Sequence, residues 1–116
     1  MTEVVVYHNP RCSKSRATVA LLRARGIEPR IVEYLKTPPS TDEVLELARR
    51  LGRPVVEILR RKEPEYADLG LSPDTPDPVA AEAVARHPRL LERPIVVVAD
   101  RAAIGRPPEA VLEILP

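Results

Sequence analysis

The alternation of apolar and polar positions separates a β-α-β opening from the rest of the chain. Residues Glu3 to Tyr7 form a short run rich in β-branched side chains, which predicts a first strand. From about Ser13 to Arg25 apolar residues recur at helical spacing, and Gly26 follows as a residue suited to end a helix. A second strand is predicted over Arg30 to Tyr34. Because a helical crossover joins the two strands, we expect them to be parallel neighbours.

The middle of the chain shows helical periodicity interrupted by proline-containing loops. Ser40 and Glu43 form a capping-box pattern ahead of apolar residues at helical spacing, and this helix should end at Gly52. The further predictions are a helix opened by Pro54 over Val55 to about Arg61 and a loop from Leu69 to Pro78. Asp77-Pro78 then starts a third helix, Val79 to about Arg86, which His87-Pro88 closes.

The last third of the chain predicts a β-hairpin followed by a helix. Ile95 to Ala99 is a continuous apolar run, typical of a central buried strand. Asp100-Arg101 is a predicted turn, and Ala102 to Gly105 a predicted return strand. Pro107-Pro108 then opens a final helix from Glu109 to Leu115.

The order of predicted elements is β-α-β, a helical insert and β-β-α. This order favours an α/β protein with a thioredoxin-like layout and a mixed central sheet of about four strands. We expect a single domain over residues 1–116, with the helical insertion at about 40–90.

Composition narrows the classes of partner. The net charge of +1 gives no reason to expect nucleic acid or an anionic membrane as a partner. No apolar segment approaches membrane-spanning length and the N-terminus lacks signal-peptide features, so a cytoplasmic location is predicted. The single cysteine excludes an internal disulfide and a multi-cysteine metal site. The sequence gives no basis for predicting an oligomeric state.

That cysteine, Cys12, stands where the first strand should end and the first helix begin. A lone cysteine is usually a small buried hydrophobic residue, but its placement in a polar turn favours a reactive thiol. Unpaired N–H groups at a helix N-terminus favour a thiolate, and Arg11, Lys14 and Arg16 add positive charge nearby. We therefore interpret Cys12 as a candidate nucleophile.

Spacing excludes two familiar cysteine chemistries. Position 15 holds Ser15, so there is no Cys-x-x-Cys redox pair, and Thr18 occupies the place where a phosphatase loop needs arginine. His87, before Pro88 at a helix end, is interpreted as structural. His8 either tunes the thiolate or caps the strand end, and Ser15 either donates a hydrogen bond to the sulfur or bonds elsewhere in its helix.

Three arginines are candidate oxyanion ligands. Arg60 lies at the end of a predicted insert helix, Arg93 precedes Pro94 and the central strand, and Arg106 precedes the last helix. Each alone is more typical of a surface ion pair. In a thioredoxin-like layout, however, the loop before the third strand approaches the cysteine. A guanidinium there would suit a tetrahedral oxyanion and would lower the thiol pKa.

The chain resembles the ArsC-type, glutaredoxin-linked arsenate reductases over about residues 3–115. The matching segments are Tyr7-His8-Asn9-Pro10 with Cys12 and Ser15-Arg16, Tyr34-Leu35, Pro38-Pro39-Ser40, Leu59-Arg60, Leu69-Gly70-Leu71, His87-Pro88 and Arg93-Pro94-Ile95-Val96-Val97. The resemblance implies a thioredoxin-like fold with a helical insert and a cis peptide at Arg93-Pro94.

The same resemblance implies roles for particular residues. Cys12 would be the nucleophile, and Arg60, Arg93 and Arg106 would bind the oxyanion, with Arg61 as the adjacent alternative to Arg60. Histidine and serine roles near the nucleophile fall on His8 and Ser15.

The implied reaction begins with attack of the Cys12 thiolate on arsenate. Glutathione or another small thiol then reduces the adduct to arsenite, and a glutaredoxin-like or thioredoxin-like protein supplies the final electrons. No metal and no bound cofactor is required by this scheme. Two alternatives share the fold: a general thiol–disulfide oxidoreductase or deglutathionylase, and a Spx-type regulator that binds RNA polymerase. Ser15 disfavours the regulator, because such proteins commonly use a Cys-x-x-Cys switch.

Overall fold

The structure is a computed structural model that describes residues 2–116. These residues form two compact units. The first contains the chain up to Tyr34 together with Arg93–Pro116, and the second contains Leu35–Glu92.

The first unit is built on a four-stranded mixed sheet. Its strands are β1 (Val4–Tyr7), β2 (Arg30–Val32), β3 (Ile95–Val98) and β4 (Arg101–Ile104), in the spatial order β2-β1-β3-β4. β1 is parallel to β2 and antiparallel to β3, and β3 is antiparallel to β4. The sheet confirms the predicted α/β class and the parallel pairing of the first two strands.

The core of the first unit lies between the sheet and two helical elements. Helix α1 (Ser13–Ala24) and a C-terminal 3₁₀ segment (Pro108–Ile114) provide the second layer. All four residues of β3 are buried, as its continuous apolar run predicts. The side chains that form the core are Val4, Val6, Val19, Leu22, Val96, Val98, Val111 and Ile114.

The ends of α1 follow from local sequence. Cys12 has extended backbone angles (φ −91°, ψ 124°) and is the N-cap residue. After the helix, Gly26 has φ 78°, a left-handed conformation that a residue with a Cβ rarely adopts. This turn directs the chain into β2.

The second unit is helical. Helix α2 (Thr41–Leu51) begins with the predicted capping box, because Ser40 and Glu43 exchange both hydrogen bonds, and it ends at Gly52 with φ 70°. Helix α4 (Asp77–Arg86) presents a small apolar face that includes buried Ala80 and Val84. The Asp77 carboxylate accepts a 3.0 Å hydrogen bond from the Val55 backbone N–H.

Several predicted boundaries in the second unit are wrong. The helix predicted from Val55 to about Arg61 is a 3₁₀ segment of Val55–Ile58, because Leu59 is extended and forms an antiparallel bridge with Leu91. Helix α3 (Pro64–Asp68) was not predicted. Helix α4 begins at Asp77, in agreement with the Asp77-Pro78 start signal.

Several elements of the first unit also differ from the prediction. The hairpin turn lies at Ala99-Asp100, with Ala99 at φ 53°, so β4 starts at Arg101. The predicted final α-helix is the 3₁₀ segment Pro108–Ile114, and β2 ends at Val32 rather than Tyr34. The Arg93-Pro94 peptide is cis, as the resemblance implies, and the Arg106-Pro107 peptide is cis as well.

Candidate active site

Cys12 is held in a fixed position by the turn that joins β1 to α1. Its backbone N–H donates to the Asn9 carbonyl at 3.0 Å, and its own carbonyl accepts the first helical hydrogen bond, from Arg16, at 3.0 Å. The residue is 9% exposed. Cys12 is therefore almost fully buried and lies at a helix N-terminus, where the thiolate form is favoured.

Several opposing influences set the pKa of the Cys12 thiol. Burial is the largest single influence and would raise the pKa. The backbone N–H of Ser15, the Arg93 guanidinium and the backbone N–H of Lys14 hydrogen-bond the sulfur and together outweigh burial, so the pKa of Cys12 lies below its ordinary value of 9.0. The geometry thus favours a thiolate, the nucleophilic form of cysteine.

Two arginines of the first unit lie at this sulfur. Arg106 places Nη2 3.7 Å from Cys12 Sγ, and its Nε donates a 2.8 Å hydrogen bond to the Arg93 carbonyl oxygen. Nε and Nη1 of Arg93 are buried and find no acceptor within residues 2–116. Buried guanidinium N–H groups normally have acceptors. The arrangement can therefore receive an additional anionic group.

His8 and Ser15 form a hydrogen-bonded pair behind the cysteine. Ser15 is fully buried, its Oγ lies 2.5 Å from His8 Nδ1, and it accepts a 3.0 Å hydrogen bond from the Asn9 backbone N–H. Burial is the main cause that lowers the pKa of His8; nearby Glu33 raises it, and Arg23 and Arg16 lower it further. The tautomer of the His8 ring determines which of the two side chains donates this hydrogen bond.

This pair changes the interpretation of both residues. The Ser15 hydroxyl bonds His8 and Asn9, whereas the backbone N–H of Ser15 is the group that bonds the Cys12 sulfur. The Ser15 hydroxyl therefore links the His8 ring to the backbone of the Asn9-Pro10 turn. Sequence reasoning could not assign these backbone contacts, because they depend on how the turn closes.

Arg60 belongs to the second unit and is bound by carboxylates. Its guanidinium forms an ion pair with Glu63 and lies 3.8 Å, Nε to Oε1, from Glu92. Glu63 also pairs with Arg89 at 2.9 Å. Arg61, the adjacent alternative, is exposed. Five of the predicted site residues (His8, Cys12, Ser15, Arg93 and Arg106) come together in the first unit, and Arg60 keeps its assignment from sequence alone.

Asn9 and Arg16 hold the turn through contacts that the sequence analysis did not predict. The Asn9 side-chain oxygen accepts from the Arg11 N–H at 3.0 Å, and Arg16 donates to the Pro10 carbonyl at 2.9 Å. The Asn9-Pro10 dipeptide is a sequence signal for the turn, because Asn-Pro favours turns. It does not predict the contact of Arg16.

A cavity of about 660 Å³ opens along α1 beside His8. Its lining residues are His8, Arg16, Val19, Ala20, Arg23 and Ala24. Its size is in the usual range for small-molecule sites. Within residues 2–116, no group of three or more His, Cys, Asp and Glu side chains could hold a metal ion. No helix in that same part of the chain is long and apolar enough to cross a membrane.

The sheet order, the crossover helix and the lone cysteine at the N-terminus of that helix define a protein of thioredoxin-like fold with a one-cysteine site. More narrowly, the chain belongs to the ArsC family, whose sequence profile matches residues 7–114.

Relatives with arsenate reductase in their names match nearly the whole chain. The arsenate reductase of Haemophilus influenzae is 48% identical over 97% of this chain and 98% of its own. That of Neisseria meningitidis serogroup B is 44% identical over 99% of this chain and 100% of its own. The solved structure of an arsenate reductase from Vibrio cholerae shares 49% identity, covers 98% of each chain and gives a TM-score of 0.93. The structural likeness confirms the predicted thioredoxin-like fold.

Proposed function

We propose that this protein is an arsenate reductase, an oxidoreductase that reduces As(V) to As(III) through a covalent adduct on Cys12. The observation that carries the proposal is the Cys12 sulfur with a lowered pKa, hydrogen-bonded by Arg93 and 3.7 Å from an Arg106 nitrogen. The names of the close relatives support the same activity.

Arsenate binding is assigned to the guanidinium groups. Nε and Nη1 of Arg93 have no acceptor within residues 2–116 and are available to donate hydrogen bonds to oxygens of a tetrahedral oxyanion. Arg106 adds a second positive charge at the same sulfur. Arg60 is retained as the third oxyanion-binding arginine on the basis of its position in the Leu59-Arg60 motif.

The proposed reaction has three steps. The Cys12 thiolate attacks arsenic, an S–As bond forms, and one arsenate oxygen leaves as water after protonation. An external thiolate then attacks the Cys12 sulfur and breaks the S–As bond, whose electron pair goes to arsenic and yields arsenite. Cys12 is left in a mixed disulfide with the external thiol, and a second thiol exchange returns the thiolate.

The reductant must come from outside the chain, because Cys12 is its only cysteine. We assign this role to a small thiol such as glutathione, followed by a glutaredoxin-like or thioredoxin-like protein, in the cytoplasm.

The decisive experiment measures the rate of Cys12 alkylation by iodoacetamide as arsenate is added. Arsenate, and its isostere phosphate, should protect the thiol, whereas sodium chloride at equal ionic strength should not. In parallel, arsenate reduction coupled to glutathione, glutaredoxin and NADPH should be abolished in Cys12→Ser, which should still unfold cooperatively.

Two outcomes would contradict the proposal. Loss of folding in Cys12→Ser would mean that the thiol is needed for packing rather than for chemistry. Absence of arsenate protection, together with intact disulfide exchange with glutathione, would instead identify a general thiol–disulfide oxidoreductase or deglutathionylase. Absence of turnover with binding to RNA polymerase would identify a regulator.

A further inference from the structure

Gly105 lies where three segments of the candidate site meet. It is buried, and it follows β4 directly. Its backbone N–H donates to the Pro94 carbonyl at 2.9 Å, which continues the β3–β4 pairing by one position beyond Ile95 and Ile104. Gly105 is therefore placed by the sheet rather than by a flexible loop.

No side chain can be accommodated at this position. A Cβ on Gly105 would lie 2.5 Å from Thr18 Oγ1 and 2.8 Å from Pro94 Cγ. Thr18 is fully buried and its hydroxyl donates to the Lys14 carbonyl at 2.9 Å, so it has no free space to turn into. A proline ring is equally unable to swing away. The glycine is required here for space, not for an unusual backbone angle.

Each of the three segments carries one part of the site. Thr18 belongs to α1, whose N-cap is Cys12. Pro94 follows Arg93, and Gly105 precedes Arg106. A methyl group at Gly105 would push these segments apart and would change the distance between the Cys12 sulfur and both guanidinium groups.

We propose that Gly105 is a positioning residue: its missing side chain sets the spacing between the Cys12 thiolate and the arginines that bind the oxyanion. The part of this proposal that concerns oxyanion binding rests on the proposed function. The expected effect of Gly105 on the Cys12 thiolate does not depend on arsenate. The residue acts through Arg93, Arg106 and α1 and does not itself contact the substrate.

The test is Gly105→Ala, with the pH dependence of Cys12 alkylation as the main readout. We expect the alkylation midpoint to move to higher pH, because the guanidinium groups no longer sit at the sulfur. The arsenate concentration that half-protects Cys12 should rise roughly tenfold, the effect of weakening one hydrogen bond to a charged group.

Gly26→Ala is the matched control. Gly26 lies in the same unit and has φ 78°. A Cβ added there would have no neighbouring atom within 4 Å. Its substitution should lower the melting temperature through backbone strain alone and should leave the alkylation midpoint unchanged.

A rescue variant separates steric displacement from general damage. Thr18→Ala in the Gly105→Ala background removes the nearest clashing atom and should return the alkylation midpoint part of the way. Thr18→Ser keeps Oγ and should not. If Gly105→Ala alone does not fold, the double variant compared with Thr18→Ala alone still tests the methyl group against Pro94.

A lowered melting temperature with an unchanged alkylation midpoint and unchanged arsenate protection would overturn the proposal and leave Gly105 a packing residue. Rescue by Thr18→Ser as efficient as by Thr18→Ala would overturn the steric explanation. Wild-type protein without arsenate turnover would refute the proposed function, yet the alkylation midpoint would still decide the role of Gly105.

Discussion

The two units use arginine in different ways. In the first unit, Arg93 is directed at a sulfur, and two of its buried nitrogens find no acceptor within residues 2–116. In the second unit, Arg60 pairs with Glu63 and Glu92. A guanidinium that already has carboxylate partners gains less from an added anion than one that has none. The comparison teaches that burial and charge alone do not distinguish the two arginines: the structure supports Arg93 as an anion ligand through its missing acceptors, whereas the proposed role of Arg60 rests on its sequence motif.

The largest expected effect is on arsenate binding, when Arg93 and Arg60 are replaced by lysine in separate variants. Arg93→Lys should raise the half-protecting arsenate concentration about 10- to 100-fold, since the fork-shaped pair with an oxyanion is lost. Arg60→Lys should raise it by less than about tenfold and should also lower the melting temperature, because its pairs with Glu63 and Glu92 are weakened.

Arg61→Lys serves as the neighbouring control and should change neither quantity, because Arg61 is exposed. A larger effect at Arg60 than at Arg93 would reverse the comparison between the units.

The next largest effect is on the pH dependence of the protein's stability. The pKa of Cys12 is lowered in the folded protein, chiefly by the Ser15 N–H and the Arg93 guanidinium acting against burial. The thiolate therefore contributes stability that is fully present above the ordinary value of 9.0 and is lost as pH falls through the lower folded pKa. The difference in melting temperature between wild type and Cys12→Ser should be largest at and above pH 9.0 and should shrink as the pH falls through the folded pKa; a difference that does not change with pH would contradict this.

Ser15→Ala tests the hydrogen-bonded pair that supports the turn. The change leaves the His8 ring and the Asn9 N–H without their partner, so unfolding should become easier by about 1–3 kcal/mol. The backbone N–H at the sulfur is kept, and the alkylation midpoint should therefore move less than in Arg93→Lys. A shift equal to that of Arg93→Lys would show that the hydroxyl itself acts on the thiolate.

The smallest effect on the site is expected from the second unit's helix cap. Ser40→Ala removes the capping box of α2 and should cost about 1 kcal/mol of stability. Because it lies in the unit without the cysteine, urea denaturation should register the loss while Cys12 alkylation stays as in wild type. A coupled change in alkylation would show that the stability of the second unit affects the thiolate.

Sequence reasoning succeeded where the signal is local. The strand of β1, the capping box at Ser40 and the helix end at Gly26 each depend on a few neighbouring residues, and all three are confirmed. The placement of Cys12 at the N-cap of α1 follows from the same kind of pattern.

Predictions from sequence fail where contacts between residues far apart in the chain determine the local structure. Leu59 becomes extended because it pairs with Leu91, so the predicted helix through Arg61 stops at Ile58. The need for glycine at Gly105 comes from Thr18 and Pro94, which are far away in sequence. No pattern in the sequence near these residues carries that information.

The hydrogen bond from Arg106 Nε to the Arg93 carbonyl has a consequence for how affinity is shared between the two arginines. The link ties the backbone that carries one guanidinium to the side chain of the other, so neither is held in place independently. Free energies of binding assigned to such a pair are not additive. In the proposed site, removing either arginine should therefore also remove part of its neighbour's contribution, so that the affinity for the oxyanion has no unique division between the two residues.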